Sequence, residues 1–235
     1  MTVSKSLSIF DPRTAPVLGV DHHLARVGPE RLTPDALRSR FRSPPVWSPE
    51  HSVEQRFSNR QPASAAVLMP LVMRDELMLL LTQRSDKLST HAGQIALPGG
   101  RTDDTDVDAV DTALREAEEE IDLPRSYVEV LGHLPTYVTG TAFVITPVVA
   151  LVRPGFTLTP NPGEVAEVFE VPLQFLMNPA HHRRHEVALD GVLRQWLSMP
   201  YCHDGEDALT AGTQERFIWG ATAGMLRNLY RFLSA

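Results

Sequence analysis

Hydrophobic residues follow two spacings along this chain, and each spacing predicts a different kind of element. From Ala65, the apolar runs AAVLMPLVM and LMLLLTQR, separated by the polar Arg74-Asp75-Glu76, predict a pair of buried strands. Three further strands are expected at residues 128–134, 143–152 and 165–171. The segment HEVALDGVLRQWLS predicts a hairpin that turns at Asp190-Gly191.

Apolar residues three and four positions apart predict two amphipathic helices, at residues 108–121 and 215–233. Pro124 lies just past the first of these helices, as expected beyond a helix end. Shorter helices are expected at residues 33–41 and 173–177. The segment SDKLSTHAGQIALPGG, which precedes the first long helix, is too interrupted by glycine and proline to be helical and is expected to form a loop.

The order of these elements predicts the fold class and the domain division. Strands and helices mix without strict alternation, which favours an α/β fold of the α+β kind, with a mixed β-sheet covered by helices, over a doubly wound parallel sheet. Residues 1–60 contain seven prolines and are expected to form an irregular N-terminal arm with one short helix. Residues 61–235 are expected to form the main domain.

Composition narrows the class of protein. The 235 residues are 43% hydrophobic and 22% charged, as in ordinary globular proteins. The net charge of −7 argues against a broad basic surface for nucleic acid or anionic membranes, but leaves room for a small phosphorylated substrate. A single cysteine and the lack of a long apolar run make the cytoplasm the expected location.

The segment LREAEEEIDL, residues 114–123, places three carboxylates on one face of the predicted helix. Glu116, Glu119 and Glu120 are related by steps of three and four residues, whereas Glu118 points elsewhere. Like charges at this spacing repel, and a divalent cation such as Mg²⁺ or Mn²⁺ would remove the conflict. Arg115 can pair with Glu119, four residues later. These residues alone leave two interpretations open, a solvated helix face or a cation site.

The residues before this helix add a motif. The series PGG, RTDDTDVDAVDTA and LREAEEEIDL resembles the Nudix hydrolase box, Gly-x5-Glu-x7-Arg-Glu-U-x-Glu-Glu-x-Gly-U, where U is bulky and apolar. Arg115, Glu116, Glu119 and Glu120 match its core, while Asp106 replaces the early Glu and Asp122 the closing Gly. The resemblance implies an α/β/α sandwich over residues 61–235, with Glu116, Glu119 and Glu120 as ligands of Mg²⁺ or Mn²⁺.

A second motif adjoins the box. LLTQRSDKLSTHAGQIALPGG resembles the signature of the coenzyme A pyrophosphatase branch, LLTxRSxxxRxxxGxxxFPGG. Ser89 stands at its internal Arg and Leu97 at its Phe. The positions that agree are Leu80, Leu81, Thr82, Arg84, Ser85, Gly93, Pro98, Gly99 and Gly100. The resemblance implies that the substrate is bound by Arg84, His91, Gly99 and Gly100.

The two resemblances together imply metal-dependent hydrolysis of coenzyme A or acyl-CoA to 3′,5′-ADP and 4′-phosphopantetheine or its acyl derivative. Arg115, Glu119 and Glu164 are the catalytic candidates. The general base is expected to be Glu119 or one of the later glutamates Glu164, Glu167 and Glu170. ADP-ribose, dinucleotides or damaged nucleotides remain alternative substrates, and a non-catalytic binding module is a further alternative.

Two other features are less informative. The cluster HHRRH, residues 181–185, lacks the spacing of a metal site and is interpreted as a solvated loop. A homodimer is retained as a candidate assembly, with the N-terminal arm either at its interface or over the active site.

Overall fold

The computed structural model describes residues 11–56, 61–189, 192–202 and 215–235. The described residues form two β-sheets and four α-helices. The helices, in chain order, are α1 (Pro34–Arg42), α2 (Ala109–Ile121), α3 (Leu173–Leu176) and α4 (Gly220–Ser234). The strands, in chain order, are β1 (Val17–Val20), β2 (Ala63–Met73), β3 (Leu77–Arg84), β4 (Ile95–Ala96), β5 (Gly99–Arg101), β6 (Val128–His133), β7 (Tyr137–Val138), β8 (Phe143–Val152), β9 (Val165–Pro172), β10 (Arg183–Leu189), β11 (Val192–Tyr201) and β12 (Arg216–Trp219).

The larger sheet has eight strands and is mixed. Its central order is β4-β3-β2-β8-β6, while β5 pairs with β2, β7 with β8 and β9 with β3. Strands β2 and β8 run parallel, whereas β2 and β3 form an antiparallel hairpin. The predicted pair of buried strands is therefore confirmed, and so is a mixed sheet.

Helices cover both faces of this sheet because alternate residues of its strands point to opposite sides. Leu68 belongs to a buried cluster with Ala117 and Ile121 of α2. Its neighbour Met69 belongs to another buried cluster, which includes Leu37 of α1 and Leu226 of α4. The result is an α/β/α sandwich with a mixed sheet between helices, which confirms the expected fold class.

The smaller sheet has four strands in the order β1-β10-β11-β12. Its central strands form the predicted hairpin, in which Leu189 pairs with Val192. The predicted turn itself, Asp190-Gly191, lies outside the described residues. Strand β1 was not predicted, since four residues of mixed character carry no clear period; it is recognised only by its pairing with β10.

Most predicted helices are confirmed, but the last one begins later than expected. Thr33 caps α1, and its hydroxyl accepts the Ala36 N–H, as its position suggested. The helix expected from residue 215 begins only at Gly220, and the preceding residues form β12. Phe217 and Ile218 pair with β11, because a short apolar run fits a strand as well as a helix and the available partner decides.

Two further expectations were wrong. The segment 85–100, expected to be a loop throughout, contains β4 and the start of β5, which pair with β3 and β2 respectively. The histidine cluster is not a solvated loop, because His182 and His185 are both buried. His185 lies on β10, and its Nε2 is 2.8 Å from the hydroxyl of Ser198 on β11. Both side chains are buried together with hydrogen-bond partners, which are distant in the chain or on other elements.

A buried group of charges joins the N-terminal segment to α4. The Arg227 side chain is 1% exposed and lies 3.0 Å from Asp21 and 2.7 Å from Glu50. Arg184 donates to both oxygens of Asp21, at 2.8 and 2.7 Å, and also to Glu50. The segment before residue 57 is therefore bound to the C-terminal helix through paired charges.

His182 extends this charge group. Arg227 Nη1 donates to Nδ1 of His182 over 2.9 Å, so the histidine proton lies on Nε2, which donates to the Leu176 carbonyl over 2.8 Å. Burial lowers the pKa of His182 to about 4. The imidazole is therefore neutral near pH 7.

Across the described ranges, the structure has no helix that is both long and apolar enough to cross a membrane.

Candidate active site

Helix α2 places its glutamates at different depths. Asp108 caps the helix, with Oδ1 accepting the Asp111 N–H over 2.9 Å, and the apolar stripe of α2 is packed against the sheet. The Glu120 and Glu116 side chains are 6% and 16% exposed, whereas that of Glu119 is 60% exposed. The face predicted from helical spacing therefore runs from a buried carboxylate to an open one.

The glycines of the PGG segment allow the buried carboxylates to approach the backbone. Gly99 has a φ of 154°, and its N–H donates to Glu120 Oε2 over 3.1 Å. A Cβ on Gly99 would lie 2.4 Å from the Ala66 carbonyl oxygen, and one on Gly100 would lie 2.4 Å from Glu116 Oε2. Only glycine fits at either position without displacing a neighbour.

These two glycines predict different outcomes on substitution by alanine. Gly99→Ala is expected to lower the free energy of unfolding by about 1–3 kcal/mol, because the new methyl group meets backbone atoms. Gly100→Ala is expected to keep the fold and lower kcat about tenfold, because the methyl group meets only the movable Glu116 carboxylate. Urea unfolding and steady-state kinetics of both variants measure this difference. Equal effects of the two on stability would contradict it.

Burial disfavours the charged forms of these neighbouring carboxylates. It raises the pKa of Glu120 to about 7 and raises that of Glu116 as well, and the charge of Glu164 adds to both shifts. Among the residues the structure describes, no three Asp, Glu, His or Cys side chains converge closely enough to hold a metal ion. Glu116 and Glu119 both lie 3.0 Å from Arg115 Nη1, so this cation separates the exposed Glu119 from the buried pair.

Arg115 accounts for the direction of Glu119. Its Nη1 donates to Glu119 Oε2 over 3.0 Å, which confirms the predicted pair. The same guanidinium binds Asp106 through two hydrogen bonds of 2.8 and 2.9 Å and donates to the Arg101 carbonyl. Asp106, which replaces the early Glu of the motif, is thus a buried anchor for Arg115.

The remaining residues of the glutamate run have structural roles. Glu118 is exposed and accepts a hydrogen bond from Arg125 Nε over 3.3 Å, so it belongs to the solvated face as predicted. Asp122 occupies the closing Gly position of the motif and has a φ of 57° and a ψ of 39°. This left-handed conformation ends the helix, and aspartate adopts it more readily than most residues do.

Strand β3 ends at Arg84, beside the buried carboxylates. Arg84 Nη1 lies 4.0 Å from Glu120 Oε1. Within the described part of the chain, the buried Nε of Arg84 has no hydrogen-bond partner. The structure therefore brings together Arg84, Glu120, Glu116 and the two glycines. His91, in contrast, is exposed on the following loop, where its Nδ1 lies 2.9 Å from Gln94 Oε1.

The three candidate bases on the later segment have different surroundings. Glu167 is bound to Arg216, and Glu170 to Arg74. Glu164 follows a loop that is attached to the end of α2, where the Asn161 N–H donates to the Glu120 carbonyl over 2.8 Å. Its side chain is exposed and close enough to affect the pKa of Glu116 and Glu120. The partners of Glu167 and Glu170 are distant in sequence, so no local pattern could distinguish the three.

Comparisons with known proteins show the family of this chain. In a solved structure of an Ap4A hydrolase binary complex from C. elegans, 50% of this chain aligns with 85% of that chain, at 20% identity and a TM-score of 0.42. The NUDIX domain family model matches residues 61–191. Nudix hydrolase NudL of Escherichia coli K12 is 40% identical over 199 residues, which cover 84% of this chain and 93% of NudL. NudL of Shigella flexneri is 41% identical over 175 residues, or 73% and 84% of the two chains. The chain therefore belongs to the Nudix hydrolases, a family of pyrophosphohydrolases that use divalent metal ions.

Proposed function

We propose that this protein hydrolyses the diphosphate bond of coenzyme A or acyl-CoA, giving 3′,5′-ADP and 4′-phosphopantetheine or its acyl derivative. The observation that carries the proposal is the position of Arg84. Its guanidinium has a buried donor without a partner among the described residues, and it lies beside Glu120. A diphosphate oxygen would satisfy this donor and place the reacting phosphorus near the glutamates.

The coenzyme A assignment rests on the motif that contains Arg84. Residues of this motif form the local structure around the site. Ser85 is buried, and its N–H donates to the Glu164 carbonyl over 2.8 Å. Gly93 has a φ of 69°, and its N–H donates to the Arg84 carbonyl over 3.1 Å. Ser85 and Gly93, which agree with the coenzyme A motif, therefore have structural roles next to Arg84 and Glu164.

Mg²⁺ or Mn²⁺ is the proposed cofactor, and the donors fit a hard cation. Glu116 and Glu120 offer carboxylate oxygens against a glycine backbone, and burial raises the pKa of both groups. These two residues would hold the ion, with Glu119 as a third ligand once released from Arg115. When bound, a divalent ion offsets charge on diphosphate oxygens and makes water more acidic.

The protein's own residues supply position and proton transfer. Arg84 would bind and orient the diphosphate, and Arg115 would hold Glu119 until the substrate arrives. A carboxylate oxygen of Glu164 would accept the proton of the attacking water. The water oxygen would then form the new bond to phosphorus as the bridging P–O bond breaks. Positioning and electrostatic stabilisation are most of what phosphoryl transfer requires.

ADP-ribose, dinucleotides and damaged nucleotides form the second candidate class of substrates. One observation favours them. The exposed Ser89 stands where the coenzyme A signature has Arg, which removes a positive charge that could contact a second phosphate group. A binding module without hydrolysis is less well supported, because the glutamates Glu116, Glu119 and Glu120 are all present.

A direct assay separates these candidates. The protein is incubated with Mg²⁺ or Mn²⁺ and with coenzyme A, ADP-ribose or nucleoside triphosphates, and the products are separated by chromatography. We expect 3′,5′-ADP from coenzyme A, with a kcat/KM at least about tenfold above that for ADP-ribose, a difference of ~1.4 kcal/mol. Strong turnover of ADP-ribose without turnover of coenzyme A would overturn the substrate assignment. Turnover of neither substrate nor of the triphosphates would favour the binding module.

A further inference from the structure

Arg216 connects the two sheets at the edge of the active site. It is the first residue of β12 in the smaller sheet, but its guanidinium contacts the larger one. Nη1 donates to Glu167 Oε2 over 2.7 Å and to Gln83 Oε1 over 3.0 Å, while Nη2 also binds Glu167. The guanidinium carbon lies 4.6 Å from the centre of the Phe169 ring, and the side chain is only 17% exposed. Arg216 is therefore a largely buried arginine with several binding partners.

Arg216 binds Gln83 and Glu167, which form the last regular pair between β3 and β9. Gln83 of β3 lies opposite Glu167 of β9, but the next residue, Arg84, lies opposite Val165. The extra residue in β9 forms a β-bulge. Bulges bend a strand and redirect its side chains, and they occur frequently beside active sites. The contacts of Arg216 therefore end where the bulge begins.

Beyond the bulge, both strands lead into proposed active-site residues. Arg84 completes β3, and Glu164 immediately precedes β9. The two chain ends remain joined by the hydrogen bond from the Ser85 N–H to the Glu164 carbonyl. A second contact from the C-terminal segment reaches the same edge, where the Thr222 hydroxyl donates to the Ile95 carbonyl over 3.1 Å. This C-terminal segment lies outside the residues that match the family model.

We propose that Arg216 is a positioning residue for the hydrolysis. By holding Gln83 and Glu167 together, it fixes the bulge that directs Arg84 and Glu164 towards Glu116 and Glu120. Arg216 acts through these groups and does not itself contact the substrate. The inference rests on the proposed function for the roles of Arg84 and Glu164.

Strand β9 provides a matched control. Arg74 binds Glu170 through two hydrogen bonds of 3.1 and 2.7 Å, and its guanidinium carbon lies 5.5 Å from the centre of the Phe156 ring. Glu170 lies three residues beyond Glu167, away from the bulge. Arg74→Met therefore removes the same kind of interaction from the same strand, but not at the active-site end.

The kinetic test is a double-mutant cycle on the substrate that the wild-type protein cleaves best. Arg216→Met is expected to lower kcat about tenfold to hundredfold, as loss of a group that orients active-site residues typically does. In a Glu164→Gln background, the same change is expected to lower kcat by a clearly smaller factor, because the base is absent and only Arg84 remains to be positioned. Arg74→Met is expected to leave kcat within about twofold of wild type. Additive effects of Arg216→Met and Glu164→Gln, or an equal loss in Arg74→Met, would overturn the inference.

A second measurement does not depend on activity. Hydrogen–deuterium exchange of the wild-type protein and both arginine variants reports the order of the bulge. Arg216→Met is expected to increase exchange in peptides that contain residues 83–86 and 163–168, with Arg74→Met unchanged there. Unchanged exchange in Arg216→Met would overturn the inference whatever the substrate. If the wild-type protein cleaves no diphosphate, the proposed function fails, and the exchange data still decide whether Arg216 orders this edge.

Discussion

Glu120→Gln is expected to lower kcat/KM about thousandfold, the largest effect on activity among the substitutions considered. The Glu120 side chain is buried and is held in place by the Gly99 N–H, so a glutamine of the same size keeps the shape of the site. What it loses is the negative charge that would bind a divalent cation. Removing such a ligand forfeits several kcal/mol of transition-state stabilisation, and about 4 kcal/mol corresponds to the expected factor.

Glu118 supplies the control on the same helix. It is exposed and bound to Arg125, so Glu118→Gln is expected to leave kcat/KM within about twofold of wild type. Steady-state kinetics at saturating Mg²⁺ or Mn²⁺ measure both variants. Full activity of Glu120→Gln, or an equal loss in Glu118→Gln, would exclude Glu120 as a ligand.

Glu120→Gln is also expected to change how the stability of the protein depends on pH. Burial raises the pKa of Glu120 from its usual value of 4.5 to about 7. Between these values the folded, metal-free protein binds more protons at this site than the unfolded chain, so this group's contribution to stability is lost as the pH rises through the window. Urea unfolding in a chelator is therefore expected to show a weaker decrease of stability between pH 4.5 and 7 for Glu120→Gln. An unchanged pH dependence would mean that Glu120 is not buried as the structure has it.

Arg227→Met is expected to lower the free energy of unfolding by about 3–5 kcal/mol, the largest effect on stability. The variant keeps the volume of the side chain but removes the buried cation that Asp21 and Glu50 share. His182 also loses the donor to its Nδ1. Asp21 and Glu50 would keep only the more exposed Arg184 as their cation, so buried negative charge is left partly uncompensated and the cost exceeds the net value of the pair itself.

Arg184 is the matched comparison for this substitution. It binds the same two carboxylates, but its side chain is 40% exposed. Water can therefore replace part of its interaction, and Arg184→Met is expected to cost about 1 kcal/mol. Urea unfolding monitored by fluorescence measures both variants. A cost for Arg184→Met as large as that for Arg227→Met would show that burial does not separate the two arginines.

The glutamate run shows what local sequence can predict. Helical spacing places Glu116, Glu119 and Glu120 on one face and Glu118 on another, because this depends only on the rotation per residue. The structure agrees for the buried Glu120, the partly buried Glu116 and the exposed Glu118, but Glu119 is exposed as well. Spacing could not predict that Glu116 and Glu120 lie against glycines while Glu119, bound to Arg115, stays exposed.

The strands likewise divide into those that local sequence predicts and those that depend on distant partners. The long apolar runs of β2 and β3 determined two buried strands, since such residues have to leave water wherever they are placed. The four residues of β12 and the two of β4 were assigned wrongly, because their structure depends on partners that are distant in the chain.

The sequence by itself therefore determined the fold class, the helix that carries the carboxylates and the family to which the chain belongs. These follow from periodicity and from motifs of closely spaced residues. Only the tertiary structure decided which later glutamate stands near the site, because Arg216 and Arg74 bind Glu167 and Glu170. It also decided that His182 of the arginine and histidine cluster is buried against Arg227. Interactions between residues far apart in the chain leave no local pattern, and only folding brings them together.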